Sequence, residues 1–386
     1  MRTVRIPAEA DFRSSLRSPA VAARVGVWLG VCFVLAFVTG VISHEAYVAH
    51  PVIPFPTRPA WGYRVTQGVH VLSGTAAIPL LLVKLWSVFP KLFARPPRQV
   101  RELVLHGLER ASIGVLVAAG IFQLASGLAN SAQWYPWSFH FRATHYAVAW
   151  VAIGALLVHV AVKLPVIRRA LGADIEDASQ DRASATEHGP LTRRGLVRSA
   201  LLASGVAVLA TAGSTVPVLR KVSVLGVRSG DGPGGIPVNK SAHAADVVAA
   251  ALSPDYRLVV AYDGRERAFS RGDLERLGQR TAELPIACVE GWSASGRWTG
   301  VRLRDLLDLV AAPRGRDVRV VSLQQHGPFR ETTLPGRFAD DPLTLLALGL
   351  AGEPLAIDHG YPCRLIAPDR PGVLQTKWVG RLEVLG

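Results

Sequence analysis

The stretch ATHYAVAWVAIGALLVHVAV, residues 143–162, contains no Asp, Glu, Lys or Arg. A run of about 20 apolar residues is long enough to cross the hydrocarbon core of a bilayer as a helix. Four more runs of this kind occur in the chain, at residues 25–43, 65–83, 103–129 and 199–219. The sequence therefore predicts five membrane-spanning helices, of which the first four follow one another closely.

The composition agrees with a membrane protein. Hydrophobic residues make up 49% of the 386 residues, only 19% are charged, and the mean hydropathy is +0.27. These values exclude a disordered chain and argue against an ordinary soluble enzyme. The net charge of +14 is concentrated around the apolar half, where membrane orientation explains it better than binding to nucleic acid does.

The basic residues also predict the topology. Seventeen Lys and Arg residues flank the predicted helices on one side, in the N-terminal tail, the second loop and the connector before the fifth helix. The other side has three, Arg58, Arg64 and Arg142. Loops rich in Lys and Arg stay in the cytoplasm. We therefore expect a multi-pass protein of the plasma membrane, with a cytoplasmic N-terminus and an extracytoplasmic C-terminal domain.

The connector ends in Leu191-Thr-Arg-Arg-Gly-Leu-Val197, directly before the fifth predicted helix. This segment resembles a twin-arginine export signal in an internal position. Such a signal would suit a domain that takes up a cofactor before it is exported in the folded state. The alternative is the ordinary basic flank of a helix that starts in the cytoplasm.

Four histidines lie within predicted spans, where polar side chains are costly and are functional candidates. His145 and His159 are 14 residues apart, so they lie on nearly the same helix face, about 21 Å apart along the axis. The topology places His70 level with His145 near the outer surface, and His106 level with His159 near the inner surface. The alternative role is hydrogen bonding between packed helices.

Residues 20–165 resemble the four-helix diheme cytochrome b subunits of bacterial respiratory enzymes, whose fourth helix supplies one ligand to each haem. The resemblance implies one or two b-type haems. His70 and His145 would ligate the outer haem iron, and His106 and His159 the inner one.

From about residue 220 the pattern changes to short alternating runs separated by turn residues, which is typical of a water-soluble α+β domain. The predicted organisation is a four-helix membrane bundle (1–165), a cytoplasmic connector (166–198), a fifth transmembrane anchor (199–219) and the α+β domain (220–386).

Four motifs follow in this domain. They are Pro237-Val-Asn239, Cys288-Val-Glu-Gly-Trp292, His359-Gly-Tyr-Pro-Cys-Arg364 and Gln375-Thr-Lys377-Trp378. Together they resemble the sulfite-oxidase-like molybdenum enzymes, especially the periplasmic methionine sulfoxide reductase branch. The resemblance implies a molybdopterin-binding fold with Cys288 as the molybdenum ligand. It implies a cofactor-binding role for the remaining matched residues, Asn239, His359, Arg364, Gln375, Thr376 and Lys377. Read singly, Cys288 is equally a buried core thiol, and His359 a turn histidine.

The substrate is less constrained. His326 and Arg330 are the nearest candidates for catalytic residues in a substrate pocket. The leading hypothesis is a membrane-bound molybdopterin oxidoreductase. Its haems would pass electrons between the quinone pool and an extracytoplasmic molybdenum centre. That centre would reduce S-oxides or N-oxides, which are small-molecule oxo donors. The alternatives are a sulfite-dehydrogenase-like oxidase that feeds quinone from an oxo acceptor, and a haem-only electron carrier with a metal-free soluble domain.

Overall fold

The structure, a computed structural model, describes residues 7–48, 51–226 and 232–386. Arg2 and Arg5 of the basic N-terminal tail lie outside these ranges. The chain divides into two compact units. The first holds the chain up to Val41 together with residues 69–211, and the second holds residues 42–68 together with 212–386.

Five long helices have the length and apolar composition needed to cross a membrane, as the sequence predicted. They are α1 (Pro19–Glu45), α2 (Gly62–Val88), α3 (Val100–Ser131), α4 (Phe141–Gly172) and α5 (Arg193–Ala212). Many of their apolar side chains are exposed, among them Trp28 of α1 and Leu157 of α4. Exposed apolar side chains along a helix are expected where the helix faces lipid.

The first unit is held together by small and branched apolar side chains. Val21 and Val25 of α1, Leu80 of α2 and Ala200 of α5 belong to one buried cluster. Between α4 and α5, the connector pairs its carboxylates with the two arginines that begin α5: Asp181 with Arg193, and Asp174 with Arg194 at 3.3 Å.

The fifth helix is displaced from the predicted span of 199–219. The hydroxyl of Thr192 accepts a hydrogen bond from the N–H of Gly195 at 3.0 Å, which is the pattern of an N-cap, and α5 begins directly afterwards. It ends at Ala212 because the chain folds back, so that a Cβ on Gly213 would lie 2.7 Å from Cα of Arg220. The bounds of the helix therefore differ from the predicted span, because hydropathy alone registers neither the cap nor this turn.

The second unit contains an α+β domain, as predicted. Its ten strands are β1 (Leu258–Tyr262), β2 (Arg265–Phe269), β3 (Gln279–Ala287), β4 (Ser293–Arg302), β5 (Val318–Ser322), β6 (Glu331–Leu334), β7 (Leu345–Leu350), β8 (Glu353–Pro354), β9 (Arg364–Ile366) and β10 (Val379–Val384). Four short helices accompany them, α6 (Val248–Leu252), α7 (Arg271–Arg276), α8 (Leu303–Asp308) and α9 (Gly336–Ala339).

The strands form two five-stranded sheets. One has the order β2-β1-β10-β5-β6, and β1 and β10 are parallel in it. The other has the order β3-β4-β7-β8, with β9 also paired to β7. Apolar side chains from both sheets are fully buried, including Leu258, Trp298 and Leu346. The second sheet positions the candidate site, because β3 ends one residue before Cys288 and β9 begins at Arg364.

The two compact units divide the chain differently from the predicted domains, because residues 212–219 of the predicted anchor belong with the α+β domain. Residues 42–68, the loop after α1 and the first turns of α2, belong with the α+β domain. Phe55 and Tyr63 from this segment form a buried cluster with Ala287. The side chain of Arg58 also pairs with Asp341 at 3.0 Å.

Candidate active site

Cys288 lies in a tight turn between β3 and β4. Its backbone N–H donates to the carbonyl of Trp292 at 2.9 Å, and the N–H of Gly291 donates to the carbonyl of Cys288 at 3.0 Å. Gly291 has φ of 89°, a left-handed conformation that glycine adopts without strain. The turn places the thiol, which is 1% exposed, on the wall of a cavity.

That cavity brings together several of the predicted residues. Its lining consists of Ile236, Pro237, Asn239, Ile286, Cys288, Trp292, Arg364 and Gly372. Burial, reinforced by the nearby charge of Glu290, raises the pKa of the Cys288 thiol. A thiol in this setting ionises only when a cation compensates its charge, as a bound metal ion does.

Arg364 supplies an unusual buried charge to the same cavity. Its side chain is 3% exposed and donates to the carbonyl of His359 at 3.3 Å, whereas its Nε has no partner. Within the described residues it has no acidic partner. Burial lowers its pKa to about 9, although the charge of Cys288 acts in the opposite direction. A buried guanidinium without a carboxylate is costly in the absence of an anionic ligand.

His359 and Lys377 are neighbours of Arg364. Lys377 donates through Nζ to the carbonyls of Asp358 at 2.7 Å and Lys240 at 2.9 Å. Burial and the neighbouring Arg364 lower the pKa of Lys377 well below its ordinary value. The ring of His359 is buried, and burial followed by the charge of Arg364 lowers its pKa to about 4, so it is neutral at pH 7.

Gly360 makes this close packing possible. It has φ of +111°, and a Cβ there would lie 3.1 Å from Cβ of Arg364 and 3.2 Å from Cα of Lys377. Only glycine combines this backbone conformation with such a close approach.

The other predicted cofactor residues are distributed around this centre. The side-chain oxygen of Asn239 accepts from the N–H of Lys240 at 2.9 Å. Gln375 is buried and donates to the carbonyl of Arg370 at 2.9 Å, while its Oε1 has no partner. The hydroxyl of Thr376 bonds that of Thr332 at 2.9 Å. Neither Gln375 nor Thr376 is among the residues that line the cavity.

His326 and Arg330 are exposed and do not line the cavity. They occupy the loop between β5 and β6, in which a Cβ on Gly327 would lie 3.7 Å from Nζ of Lys240. Their catalytic roles stay predictions. The sequence reasoning missed Gly372, which lines the cavity, although the preceding Asp369-Arg-Pro-Gly372 run was a visible turn signal.

In the helical unit, the structure brings His70 and His145 together. Their ring centroids are 6.1 Å apart. Nδ1 of His70 bonds the carbonyl of Ala36 at 2.8 Å, and Nδ1 of His145 bonds the hydroxyl of Ser126 at 3.0 Å. Each ring therefore keeps Nε2 for another partner, the arrangement in which histidines ligate metals.

The predicted inner pair is not assembled in the same way. In the part of the chain that the structure describes, no ring contact joins His106 and His159. Near them an ion pair joins Glu109 of α3 to Lys163 of α4.

This fold and this site define a class of protein. Residues 244–386 match the family model described as the oxidoreductase molybdopterin binding domain. The chain therefore carries a molybdopterin-binding oxidoreductase domain, joined to a helical region with membrane-type helices, and the predicted family resemblance is confirmed for this domain.

Three curated proteins illustrate what the chain is similar to. Rat (Rattus norvegicus) mitochondrial sulfite oxidase is 29% identical over 34% of this chain and 30% of its own length. The putative protein-methionine-sulfoxide reductase subunit YedZ1 of Azospira oryzae is 31% identical over 31% of this chain and 44% of its own. The protein-methionine-sulfoxide reductase catalytic subunit MsrP of Xanthomonas campestris pv. campestris is 38% identical over 24% and 32%, respectively. The chain thus spans less than half the length of each of these relatives.

The residues present fit a molybdopterin cofactor. A buried thiol is a soft ligand for molybdenum, and an unpaired buried guanidinium suits the phosphate of the pterin. Both face one cavity, beside a lysine held by two carbonyl groups.

Proposed function

We propose that the chain is a membrane-bound, molybdopterin-dependent oxidoreductase in which Cys288 ligates molybdenum. The observation that carries this proposal is the shared cavity of Cys288 and Arg364, where a soft ligand lies beside an uncompensated cation. The helical region would hold the chain in the plasma membrane, with the N-terminus in the cytoplasm and the α+β domain outside.

Different residues of the cavity would bind different parts of the cofactor. The cofactor supplies two-electron oxygen-atom transfer when it is bound. Cys288 releases its proton to act as a thiolate, and Arg364 offers its buried charge to the anionic phosphate. Lys377 is held in place by two carbonyl groups, and Gly360 keeps the backbone close behind them. Asn239 lines the same cavity.

The helical region would supply electrons through a b-type haem held by His70 and His145. The proximity of the two rings, whose centroids are 6.1 Å apart, supports this role, because two histidines that ligate one haem iron must lie close together. The hydrogen bonds at both Nδ1 atoms support it as well. An inner haem ligated by His106 and His159 remains part of the proposal, without the ring contact that supports the outer one.

The reaction would be reduction of an S-oxide or N-oxide with electrons from quinol. For a sulfoxide, two electrons and two protons break the S=O bond and yield the sulfide and water. The methionine sulfoxide reductase proteins among the relatives support this direction. The similarity to sulfite oxidase supports the reverse direction as the second candidate, in which sulfite is oxidised and quinone reduced.

Metal content tests the proposal most directly. We expect detergent-purified wild-type protein to hold about one molybdenum atom and about one or two iron atoms per chain by elemental mass spectrometry. Cys288→Ala should lose molybdenum and keep iron. Iron without molybdenum, from a host that makes the cofactor, would favour a haem-only electron carrier.

Haem absorbance tests the second half of the proposal. Because His145 contacts His70, His145→Ala should abolish the bis-histidine absorbance of the outer haem. The matched change His159→Ala should leave that absorbance in place. An unchanged spectrum in both variants would rule out haem ligation by these histidines.

Substrate assays separate the two directions. Oxidation of dithionite-reduced haem on addition of methionine sulfoxide would support the reductase. Sulfite-dependent reduction of the haem would support the oxidase instead.

A further inference from the structure

One edge of β4 is covered by residues from outside the molybdopterin-domain match. β4 pairs with β3 over residues 293–301, but with β7 only from Trp298 to Arg302. In the described part of the sheet, no strand therefore pairs with the other edge of residues 293–295. An uncovered strand edge leaves backbone donors and acceptors without partners.

Four side chains, which we call the outer clamp, reach this edge and the Cys288 turn before it. Arg64 and Gln67 come from the first turns of α2, and Thr215 and Arg220 from the segment after α5. All four lie in the same compact unit as the α+β domain.

The outer clamp donates hydrogen bonds to every second residue from the Cys288 turn into β4. Gln67 donates to the carbonyl of Val289 at 3.3 Å, Thr215 to that of Gly291 at 2.6 Å, Arg220 to that of Ser293 at 3.1 Å and Arg64 to the hydroxyl of Ser295 at 3.1 Å. Val289 and Gly291 belong to the Cys288 turn, whereas Ser293 and Ser295 belong to β4, so the outer clamp spans the junction between the turn and the strand. The N–H of Ser293 completes the edge by donating to the carbonyl of Ser214 at 2.8 Å.

Two members of the clamp act on the turn that carries the thiol. Gln67 is 6% exposed and Thr215 is 5% exposed, so both bonds are shielded from water. The backbone of the next residue approaches Thr215 as well, since a Cβ on Gly68 would lie 3.0 Å from Cγ2 of Thr215. Val289 and Gly291, the residues whose carbonyls they bind, lie one and three residues after Cys288.

We propose that Gln67 and Thr215 are positioning residues for the molybdenum ligand. By fixing two peptide carbonyls of the turn, they set the orientation of the Cys288 thiol relative to the cavity. Deletion of either donor would leave a buried carbonyl without its partner and let the turn change conformation. The inference rests on the proposed function, because it takes Cys288 as the ligand of molybdenum.

The test uses a pair of variants that separates the hydroxyl from the shape of the side chain. Thr215→Val removes the donor and keeps the volume, whereas Thr215→Ser keeps the donor. In full-length protein reduced stepwise with dithionite, we expect Thr215→Val to shift the g-values of the molybdenum(V) EPR signal, and Thr215→Ser to retain the wild-type signal. Gln67→Met should shift the signal in the same way.

The matched control is Thr211→Val, because the hydroxyl of Thr211 bonds only within α5, to the carbonyls of Ala207 and Val208. It should leave the signal unchanged. Wild-type g-values in both Thr215→Val and Gln67→Met, at full molybdenum content, would overturn the inference. If Thr215→Val does not fold, Gln67→Met alone decides the outcome.

A second readout keeps the inference separate from the proposed function. If wild-type protein holds no molybdenum, the proposed function fails. The rate at which a maleimide alkylates Cys288, followed by peptide mass spectrometry, then tests the clamp itself. A several-fold faster reaction in Thr215→Val than in Thr215→Ser would show that the hydroxyl holds the turn closed, and equal rates would overturn that role.

Discussion

At the scale of single residues, the α+β domain buries two arginines that form no ion pair among the described residues. Arg364 and Arg370 are at most 5% exposed, and burial lowers the pKa of each to about 9. Arg370 is satisfied by the carbonyls of Thr333 and Leu374, whereas Arg364 faces the cavity with Nε unpartnered. Arg370 is therefore held by the protein itself, whereas the proposed role of Arg364 is to bind the phosphate of the cofactor.

Arg364→Met should therefore have opposite effects on stability and on cofactor binding. Removal of an uncompensated buried charge should stabilise protein made in a host without the cofactor by about 1–3 kcal/mol. The molybdenum content of protein from a competent host should fall sharply. Thermal unfolding and elemental analysis measure the two effects, and Arg370→Met, which leaves two carbonyls unpaired, should destabilise instead.

Asp369 is a buried carboxyl group that should make the folding stability depend on pH. Its Oδ1 accepts from the N–H of Tyr63, and burial raises its pKa from 3.8 to about 6 even though that hydrogen bond opposes the shift. The folded state therefore holds the proton more tightly than the unfolded state does. Its contribution to stability is fully present below pH 4 and is lost as the pH rises through 6.

We expect the free energy of unfolding of the wild type, relative to Asp369→Asn, to fall by about 2–3 kcal/mol between pH 4 and pH 7. The amide keeps an oxygen for the N–H of Tyr63 but does not titrate. Unfolding of the detergent-solubilised proteins across this range measures the difference. A difference that does not vary with pH would contradict the assignment.

At the scale of elements, the sheet that carries the site depends on a close approach between β4 and β7. A Cβ on Gly300 would lie 2.1 Å from the carbonyl oxygen of Leu346, at a point where the register of the two strands shifts. Backbone that approaches this closely leaves room only for glycine. The approach fixes β4 and thereby the turn at its start.

Gly300→Ala should push the two strands apart and cost at least about 2 kcal/mol of folding stability. Gly278→Ala is the matched control, since nothing lies within 4 Å of a Cβ at that position. Chemical denaturation of the two variants and the wild type gives the comparison. Equal midpoints would show that the strands yield without loss.

At the scale of the whole molecule, the molybdopterin-binding domain packs against a segment that lies more than a hundred residues earlier in the chain. The segment 42–68 supplies Phe55 and Tyr63 to the cluster around Ala287. It also supplies the carbonyl of Phe55, which accepts from Arg337 at 2.9 Å. The domain boundary predicted at residue 220 therefore cuts through a packed unit.

A fragment of residues 220–386 should be less stable than the same domain in the full-length chain. It lacks the apolar cover of Ala287 and every member of the outer clamp except Arg220. We expect a lower unfolding midpoint and a tendency to aggregate through the uncovered edge of β4. Calorimetry and light scattering compare it with full-length protein in the same detergent, and matching midpoints would contradict an integral role for residues 42–68.

Local features of the chain account for most of what could be predicted. Runs of about 20 apolar residues predict spanning helices whatever surrounds them. Each of the five helices overlaps its predicted span, although α4 extends ten residues beyond it and α5 is displaced. The α+β domain follows from its alternating runs and turns. The boundaries of α5 were missed because they depend on a cap at Thr192 and a fold-back at Gly213, each set by a few atoms in contact.

Some features of the candidate site could likewise be predicted from the sequence, and others could not. The motifs containing Asn239, Cys288 and Arg364 are visible in the sequence, and the structure places all three on one cavity. The pairing of His70 with His145 followed from helical periodicity and topology, both of which are regular along the chain. The sequence did not reveal that the rings of His106 and His159 are not in contact, because that depends on how α3 and α4 pack.

The sequence by itself therefore determined five membrane-type helices, the class of the α+β domain and the motif residues around Cys288, because each is encoded by neighbouring residues or by a fixed period. Only the tertiary structure decided that Gln67 and Thr215, 148 residues apart in the chain, reach the same turn. It alone also revealed that Arg364 is buried without an acidic partner in the part of the chain that the structure describes. Such contacts depend on how distant segments pack, and a pattern that repeats every two or 3.6 residues carries no information about that packing.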